Sequence, residues 1–258
     1  MISARQWRDS IQVAGGIVQL ATRSAREAFR RPVLPGLVVQ QVYRIGYESL
    51  GLVIVTAFAT GSVMALQFGY GMAKFGGKLY VPKVVALTIA REIGPVFTSL
   101  LVAARIGSGI AAEVASMKVT QQIDAIRALG TSPVKRIVVP RVVAAVFALP
   151  VLTLVADYVN LLGGMLVARS ELGINSEFYW AKTIETLRLY DLTTGMAKTA
   201  VFAVFISLAA CWKGLNTEGG TEGVGTTTTW VVVVSSVFIM VADFFLTKLF
   251  ILTVYPRI

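Results

Sequence analysis

The chain has 258 residues, 55% of them apolar and only 15% charged, with a net charge of +10 and a mean hydropathy of +0.72. Soluble domains usually carry about 25% charged residues, so the composition speaks for a membrane-embedded protein. One cysteine, Cys211, excludes a disulfide framework and a cysteine-built metal site, and the lack of histidine removes the commonest metal ligand and the usual acid–base catalyst. Hydrolytic and redox enzymes are poor fits on that ground.

The first element is predicted in "RQWRDSIQVAGGIVQLATRSAREAFRRP". Trp7, Ile11, Ala14, Val18, Ala25 and Phe29 fall near one helical face, with Arg8, Gln12, Arg23, Arg26 and Arg30 beside or opposite it. A Trp-bearing stripe flanked by arginines suits a helix lying in the membrane interface; a soluble helix packed on a partner is the alternative. This N-terminal interfacial helix is assigned to residues 1–35. Pro32 and Pro35 punctuate the turn into the remainder, residues 36–258.

Five segments then reach the roughly 20 apolar residues that a membrane helix needs: residues 49–68, 84–106, 137–168, 192–212 and 229–252. The third is long enough to tilt, or to begin as an interfacial turn at Pro140. None reads as a cleaved signal peptide, since the arginine-bearing first 30 residues have no continuous apolar core. The fold class expected is an all-α integral membrane protein. Five spans place 14 Lys and Arg on the side of the N-terminus and 8 on the other. The more basic side should be cytoplasmic, which puts the C-terminus outside. The positive charge thus follows topology, and its spread over several loops speaks against nucleic-acid binding.

The second span carries the first chemical anomaly. "REIGPVFTSLLVAARIGSG" opens with Arg91 and Glu92, follows with Gly94 and Pro95, and ends at Arg105. A charge inside the bilayer costs a few kcal/mol and usually faces a protein interior or a water-filled cavity. Arg91 and Glu92 are neighbours, about 100° apart on a helix, so at least one needs another partner. Gly94-Pro95 frees backbone groups that must face protein or cavity. A pocket for lipid suits these groups, and a structural ion pair is the rival. Asp157 and Asp243 raise the same question: Asp157 as a hydrogen-bonding group within the third span, Asp243 as a packing or dimer-contact group.

Between the second and third spans, "GIAAEVASMKVTQQIDAIRALGTSPVKRIVVPR" is too polar to cross. Val119, Ile123 and Ile126 recur at helical spacing, and Gly130 followed by Pro133 is a helix stop. A short amphipathic helix is expected within 112–130, either presented to a soluble partner or serving as a connector. Before the fifth span, Gly219, Gly220, Gly223 and Gly225 form a glycine-rich loop followed by four threonines able to bond helix carbonyls. The P-loop pattern is absent: "GMAKFGGKL" at 71–79 has one residue too many and Leu79 in place of the hydroxyl. No nucleotide site is expected.

These residues carry a resemblance. Arg91-Glu92, Gly94-Pro95, Ala104-Arg105, Gly107-Ser108, Ala112-Glu113, Met117, Thr120, Gln122, Pro133 and Pro140-Arg141 resemble the signature of the MlaE/YrbE permeases, the membrane subunits of bacterial ABC lipid transporters, related to the chloroplast lipid-import permease. "GGTEGVGTTTTWVVVVSSVFIMVADFFLT" resembles that family's second motif, and the match covers about residues 45–253. Gln121, Ser132 and Ala103 depart from residues common in the family. The resemblance implies a homodimeric phospholipid permease of the bacterial inner membrane. It implies two copies of a cytoplasmic ABC ATPase, which would hold ATP and Mg, leaving this chain with no cofactor or metal of its own. It also implies a small STAS-domain protein and an MCE-domain lipid carrier on the periplasmic side. The lipid pocket is expected at Arg91, Glu92, Gly94, Pro95, Leu66 and Tyr70. A coupling helix touching the ATPase is expected at Glu113, Met117, Thr120, Gln122, Asp124 and Arg127, with Gly220, Gly223 and Gly225 in a cytoplasmic loop. Two rivals remain. An ion-coupled secondary transporter would normally show an internal repeat, which is not visible. A non-transporting scaffold has no need of intramembrane charges.

The topology is testable. In a Cys211→Ser background, cysteines at Ser3 and Thr120 should react with an impermeant maleimide only from the cytoplasm, and one at Ile258 only from outside. Labelling of Ser3 and Ile258 from the same side contradicts five spans.

Overall fold

The computed structural model describes residues 4–30 and 35–253; within the first segment, the side chains of residues 11–28 are described. No strand occurs among them. The predicted N-terminal element is α1 (Ala4–Arg30). The first span is α2 (Pro35–Ile45) and α3 (Leu50–Ala73), joined by a 3₁₀ turn at Tyr47–Ser49. The second is α4 (Val81–Thr88), α5 (Gly94–Val102) and α6 (Ser108–Val119), separated by π-turns at Ile89–Ile93 and Ala103–Gly107. A short α7 (Gln122–Ala128) follows. A π-turn at Val134–Val138 leads into α8 (Val139–Ser170), the third span. Then come α9 (Ser176–Thr186) and the last two spans, α10 (Leu189–Leu215) and α11 (Gly220–Thr253).

Five helical stretches are long and apolar enough to cross a membrane: Pro35–Ala73, Lys78–Val119, Val134–Ser170, Leu189–Leu215 and Gly220–Thr253. Each contains an expected span and outruns it, because helix hydrogen bonds continue into flanking segments that hydropathy reads as polar. Two expectations change. Gly220, Gly223 and Gly225 lie in the first two turns of α11 rather than in a loop, and only Gly219 and Gly220 take positive φ, +88° and +67°. The amphipathic helix expected within 112–130 is only α7, since α6 carries the second span through Glu113 and Met117 to Val119.

The end of α7 follows the sequence closely. The amide of Gly130 donates to Arg127 O at 2.9 Å and that of Thr131 to Ile126 O at 3.2 Å, with Gly130 at φ +72°. This is a Schellman cap, and glycine takes the left-handed position without a Cβ clash.

The chain forms two compact units. The first lies within Met1–Ile45, Ala103–Val146 and Ala203–Val237. Its core joins Ile17 and Leu20 of α1, Ile110 and Val114 of α6, Ile123 of α7 and Leu208 of α10. The face of α1 that is buried therefore includes Ile17, Leu20 and Ser24. The predicted stripe is the other face: Ile11 is 66% and Val18 62% exposed. The helix thus has one apolar face for the protein and a second facing outward. The predicted contributions of Trp7, Arg8, Phe29 and Arg30 fall on side chains outside the described ones.

The second unit lies within Gly46–Val102, Phe147–Phe202 and Phe238–Ile258. Val81 and Val85 of α4, Ala65 of α3, Leu161 and Ala168 of α8 and Tyr179 of α9 form its core. Here α3 and α8 meet through glycine. A methyl group on Gly61 would strike the backbone carbonyl of Asn160, and one on Gly163 that of Phe58. Small residues at such crossings let backbones approach, which is how membrane helices gain packing energy without a hydrophobic driving force.

Gly61→Ala should therefore destabilise the detergent-solubilised protein by about 1–3 kcal/mol, an overpacking cost, seen as a lowered melting temperature. Gly51→Ala, in the same helix but with open space around it, should hold or raise it. Equal effects from the two would contradict the close crossing.

Candidate functional site

The site grows from a break in the second span. Pro95 sits at the second position of α5, and it lacks the N–H that an α-helix would return to the Arg91 carbonyl. The π-turn Ile89–Ile93 precedes it; such turns recur at functional sites in helices. Gly94 is constrained from outside, because a methyl group there would collide with the Asp157 carboxylate of α8.

Arg91 and Glu92 take different partners, as their angular separation requires. Arg91 Nε donates to Asp191 Oδ1 at 2.6 Å, and its guanidinium lies 5.9 Å from the centre of the Tyr190 ring. Asp191 is fully buried. Its other oxygen accepts the Arg188 N–H at 3.0 Å, the return bond of a capping box at the start of α10. One carboxylate thus caps a helix and neutralises an intramembrane arginine.

Glu92 is met by Lys198 of α10. Lys198 Nζ lies 2.9 Å from Glu92 Oε2, 2.9 Å from the Arg91 carbonyl, 2.7 Å from Thr247 Oγ1 and 3.0 Å from Asp243 Oδ1. An ammonium has three N–H groups, so one of four oxygens is held by charge alone. That oxygen is Asp243 Oδ1, which has no directed hydrogen bond. Thr247 donates onward to Glu92 Oε1 at 3.1 Å. The lysine side chain is 3% exposed, whereas that of Glu92 is 36% exposed. With Arg91 and Lys198 set against Asp191, Glu92 and Asp243, the cluster has one carboxylate more than it has cations.

A cavity of about 80 Å³ opens on the exposed side of this cluster. Arg91, Glu92, Thr194, Lys198 and Thr247 form its polar wall, and Phe250 and Ile251 its apolar one. Of the residues expected to form a lipid pocket, Arg91 and Glu92 line it. Gly94 and Pro95 are buried and shape the break without lining the cavity. Leu66 is half-buried and Tyr70 exposed on α3, and neither lines it. Asp243 is an ion-pair partner, not merely a packing group. Asp157 does not find the expected hydrogen bond within its span, since its buried Oδ1 has no partner among the described residues.

The residues expected to contact an ATPase separate into two groups. Thr120, Gln122, Asp124 and Arg127 are exposed on or beside α7, which Ile123 anchors to the core. Asp124 pairs with Arg127 at 3.2 Å and Lys118 at 3.3 Å. Gln121 supplies the sharp turn before α7, with φ +59°. Glu113 is instead an internal tie, 2.8 Å from Arg44 Nη1 and 2.9 Å from Arg141 Nη2, and Met117 sits on α6 beside it.

Lys198 and Asp191 are absent from the sequence-based expectation. The signal for Lys198 was present. Of 24 basic residues, five fall inside the predicted spans, Arg91, Arg105, Arg141, Lys198 and Lys248. Arg91 and Lys198 lie farthest from a span's end, and the rule that singles out intramembrane charge applies to both. Asp191 lies one residue outside the predicted fourth span, where a carboxylate looks like ordinary loop polarity.

The family described as Permease MlaE matches residues 38–249. The chain belongs to the MlaE permease family. Among its relatives is a probable ABC transporter permease protein of Rickettsia felis, 38% identical over 239 residues, 93% of this chain and 92% of that protein. Another is the chloroplastic protein TRIGALACTOSYLDIACYLGLYCEROL 1 of Arabidopsis thaliana, 36% identical over 245 residues, 95% of this chain and 68% of the relative. A third is the intermembrane phospholipid transport system permease protein MlaE of Haemophilus influenzae, 32% identical over 214 residues, 83% of this chain and 82% of the relative. Membership makes the chain a multi-pass membrane permease, and the charged cluster sits inside the spans of an MlaE-type fold.

Lys198→Met tests the cluster as a unit. Removing one partner of a buried ion pair costs about 3–5 kcal/mol, so the variant should accumulate poorly and melt lower. Asp243→Asn in the same chain should restore part of the loss by removing one stranded carboxylate. Additive losses in the double variant would show that Lys198 and Asp243 act independently.

Proposed function

We propose that the chain is the permease subunit of an ABC transporter that moves phospholipid between the bacterial inner membrane and an MCE-domain carrier. The single observation that carries this reading is the Lys198 cluster and its cavity, set in a family with a relative named for phospholipid transport. A zwitterionic headgroup needs both signs of charge within a few ångströms and an apolar wall for the carbons beyond it. Arg91 and Lys198 offer N–H donors, the partly exposed Glu92 offers acceptors, and Phe250 and Ile251 supply the wall. The surplus carboxylate favours a ligand that brings a cation, such as a headgroup ammonium.

Two copies of the chain would form the transport pathway, driven by a dimer of cytoplasmic ABC ATPases and joined in some systems by a STAS-domain protein. ATP and Mg belong to that partner. The exposed polar face of α7 supports the coupling role: the helix is short, anchored by buried Ile123, stopped by a defined cap and packed on α6, so a force applied to it passes to the second span. The N-terminus lies in the cytoplasm and the C-terminus in the periplasm, with the outward stripe of α1 in the membrane interface.

Glu92 variants test the reading in a complex reconstituted with its ATPase. Glu92→Gln keeps the shape and loses a charge-assisted bond of about 1.5–3 kcal/mol, so phospholipid transfer should fall about tenfold or more. Glu92→Lys should fall further. Glu92→Gln should assemble at normal levels, because Asp243 still pairs Lys198. Glu92→Lys sets a second cation beside Lys198 and should accumulate less, so its transfer is scored per assembled complex. The permease alone should turn over no ATP. Wild-type transfer by an assembled Glu92→Lys complex would sink the headgroup role.

A further inference from the structure

A second cavity, of about 190 Å³, lies within the first unit and is lined from α2, α6, α7, the π-turn Val134–Val138 and the start of α8. Its charge balance is opposite to that of the Lys198 cluster. Three guanidinium groups, from Arg44, Arg136 and Arg141, line it against the one carboxylate of Glu113. Glu113 binds Arg44 and Arg141 and so holds both forks in place. It neutralises one charge and leaves two.

The donors are not used up. Arg141 is 6% exposed and gives Nη1 to the Ile137 carbonyl at 2.8 Å, yet its buried Nε has no hydrogen-bond partner among the described residues. Arg136 makes no ion pair among them. Gln41, on the same wall, has a buried Oε1 with no partner among the described residues, an acceptor suited to a hydroxyl of the ester's alcohol rather than to its oxyanion. A buried N–H left unpaired keeps its desolvation cost uncompensated, so an oxyanion that reaches it gains more than at the surface. Apart from Gln40 and Gln41, the rest of the lining is apolar and includes Leu37, Met117 and Ile126. Guanidinium forks match the oxygens of phosphate in spacing and plane, and an apolar wall beside them suits an ester carrying hydrocarbon.

We infer that this cavity is a binding site for a phosphate ester, filled by the headgroup of an anionic lipid and separate from the Lys198 cavity. A soluble phosphate ester shares the chemistry, so the experiment tells the two sources apart. The purified full chain in neutral detergent is titrated with dioctanoyl phosphatidylglycerol, dioctanoyl phosphatidylcholine or glycerol 3-phosphate while its melting temperature is followed. Phosphatidylglycerol should raise it saturably and phosphatidylcholine should not. Arg136→Gln should leave the unliganded melting temperature unchanged, because Arg136 is exposed and has no ion-pair partner among the described residues to lose. It should weaken the midpoint for phosphatidylglycerol about tenfold, the loss expected from one charge-assisted bond. Glu92→Gln should titrate as wild type, which separates this site from the proposed transport site. A shift with glycerol 3-phosphate at the same midpoint keeps the site and assigns it a soluble ligand. Equal shifts from the two lipids, or wild-type midpoints in both Arg136→Gln and Arg44→Gln, overturn the proposal.

Discussion

Much of the second unit is arranged around one ammonium group. Lys198 lies in an apolar span with 3% of its side chain exposed, where a lone charge would be costly by several kcal/mol. Its partners come from two other spans: Glu92 and the Arg91 carbonyl from the second, Asp243 and Thr247 from the fifth. Three helices that share no hydrophobic reason to associate in lipid are thereby given a polar one. The break at Gly94-Pro95, the collision-free fit of Gly94 against Asp157 and the cap made by Asp191 all serve to bring charges to that point.

The irregular turns follow a common pattern. Each of the three π-turns contains a basic residue: Arg91 in Ile89–Ile93, Arg105 in Ala103–Gly107, Lys135 and Arg136 in Val134–Val138. A π-turn inserts an extra residue into the helical ladder and offsets the side chains that follow. At Arg91 this accompanies a long charged side chain turned towards buried Asp191, whereas Arg105 and Arg136 are exposed. Ser108 strengthens the second of these turns by bonding back to the Ala104 carbonyl.

Much of the architecture was legible in the sequence because hydropathy is a long-range average. Twenty apolar residues mark a span whatever their order, so all five spans were found. Their ends were not, because helix bonds run on through polar residues such as Glu113 and Thr226 once a span has nucleated them. The glycines at 220–225 read as a loop by propensity, yet α11 absorbs them after one left-handed pair. The α1 stripe shows the same limit. Periodicity found an apolar face, but a helix with two such faces does not say which one the protein buries. Arg91 and Glu92 stood out as adjacent charges in a conspicuous motif. Lys198, alone among alanines and threonines, carried the same information without a neighbour to draw attention to it.

One partner of Lys198 is invisible to side-chain mutagenesis. The Arg91 carbonyl belongs to the backbone, so every substitution of Arg91 leaves it in place, and truncating that side chain removes the link to Asp191 without loosening the lysine's hold on the second span. A scan read residue by residue would therefore score Arg91 and Lys198 as separate features, although they meet at the same peptide unit. The handle on that carbonyl is Pro95, four residues on, whose missing N–H withholds the usual helical competitor from it. In genetic terms the proline belongs to the lysine's phenotype.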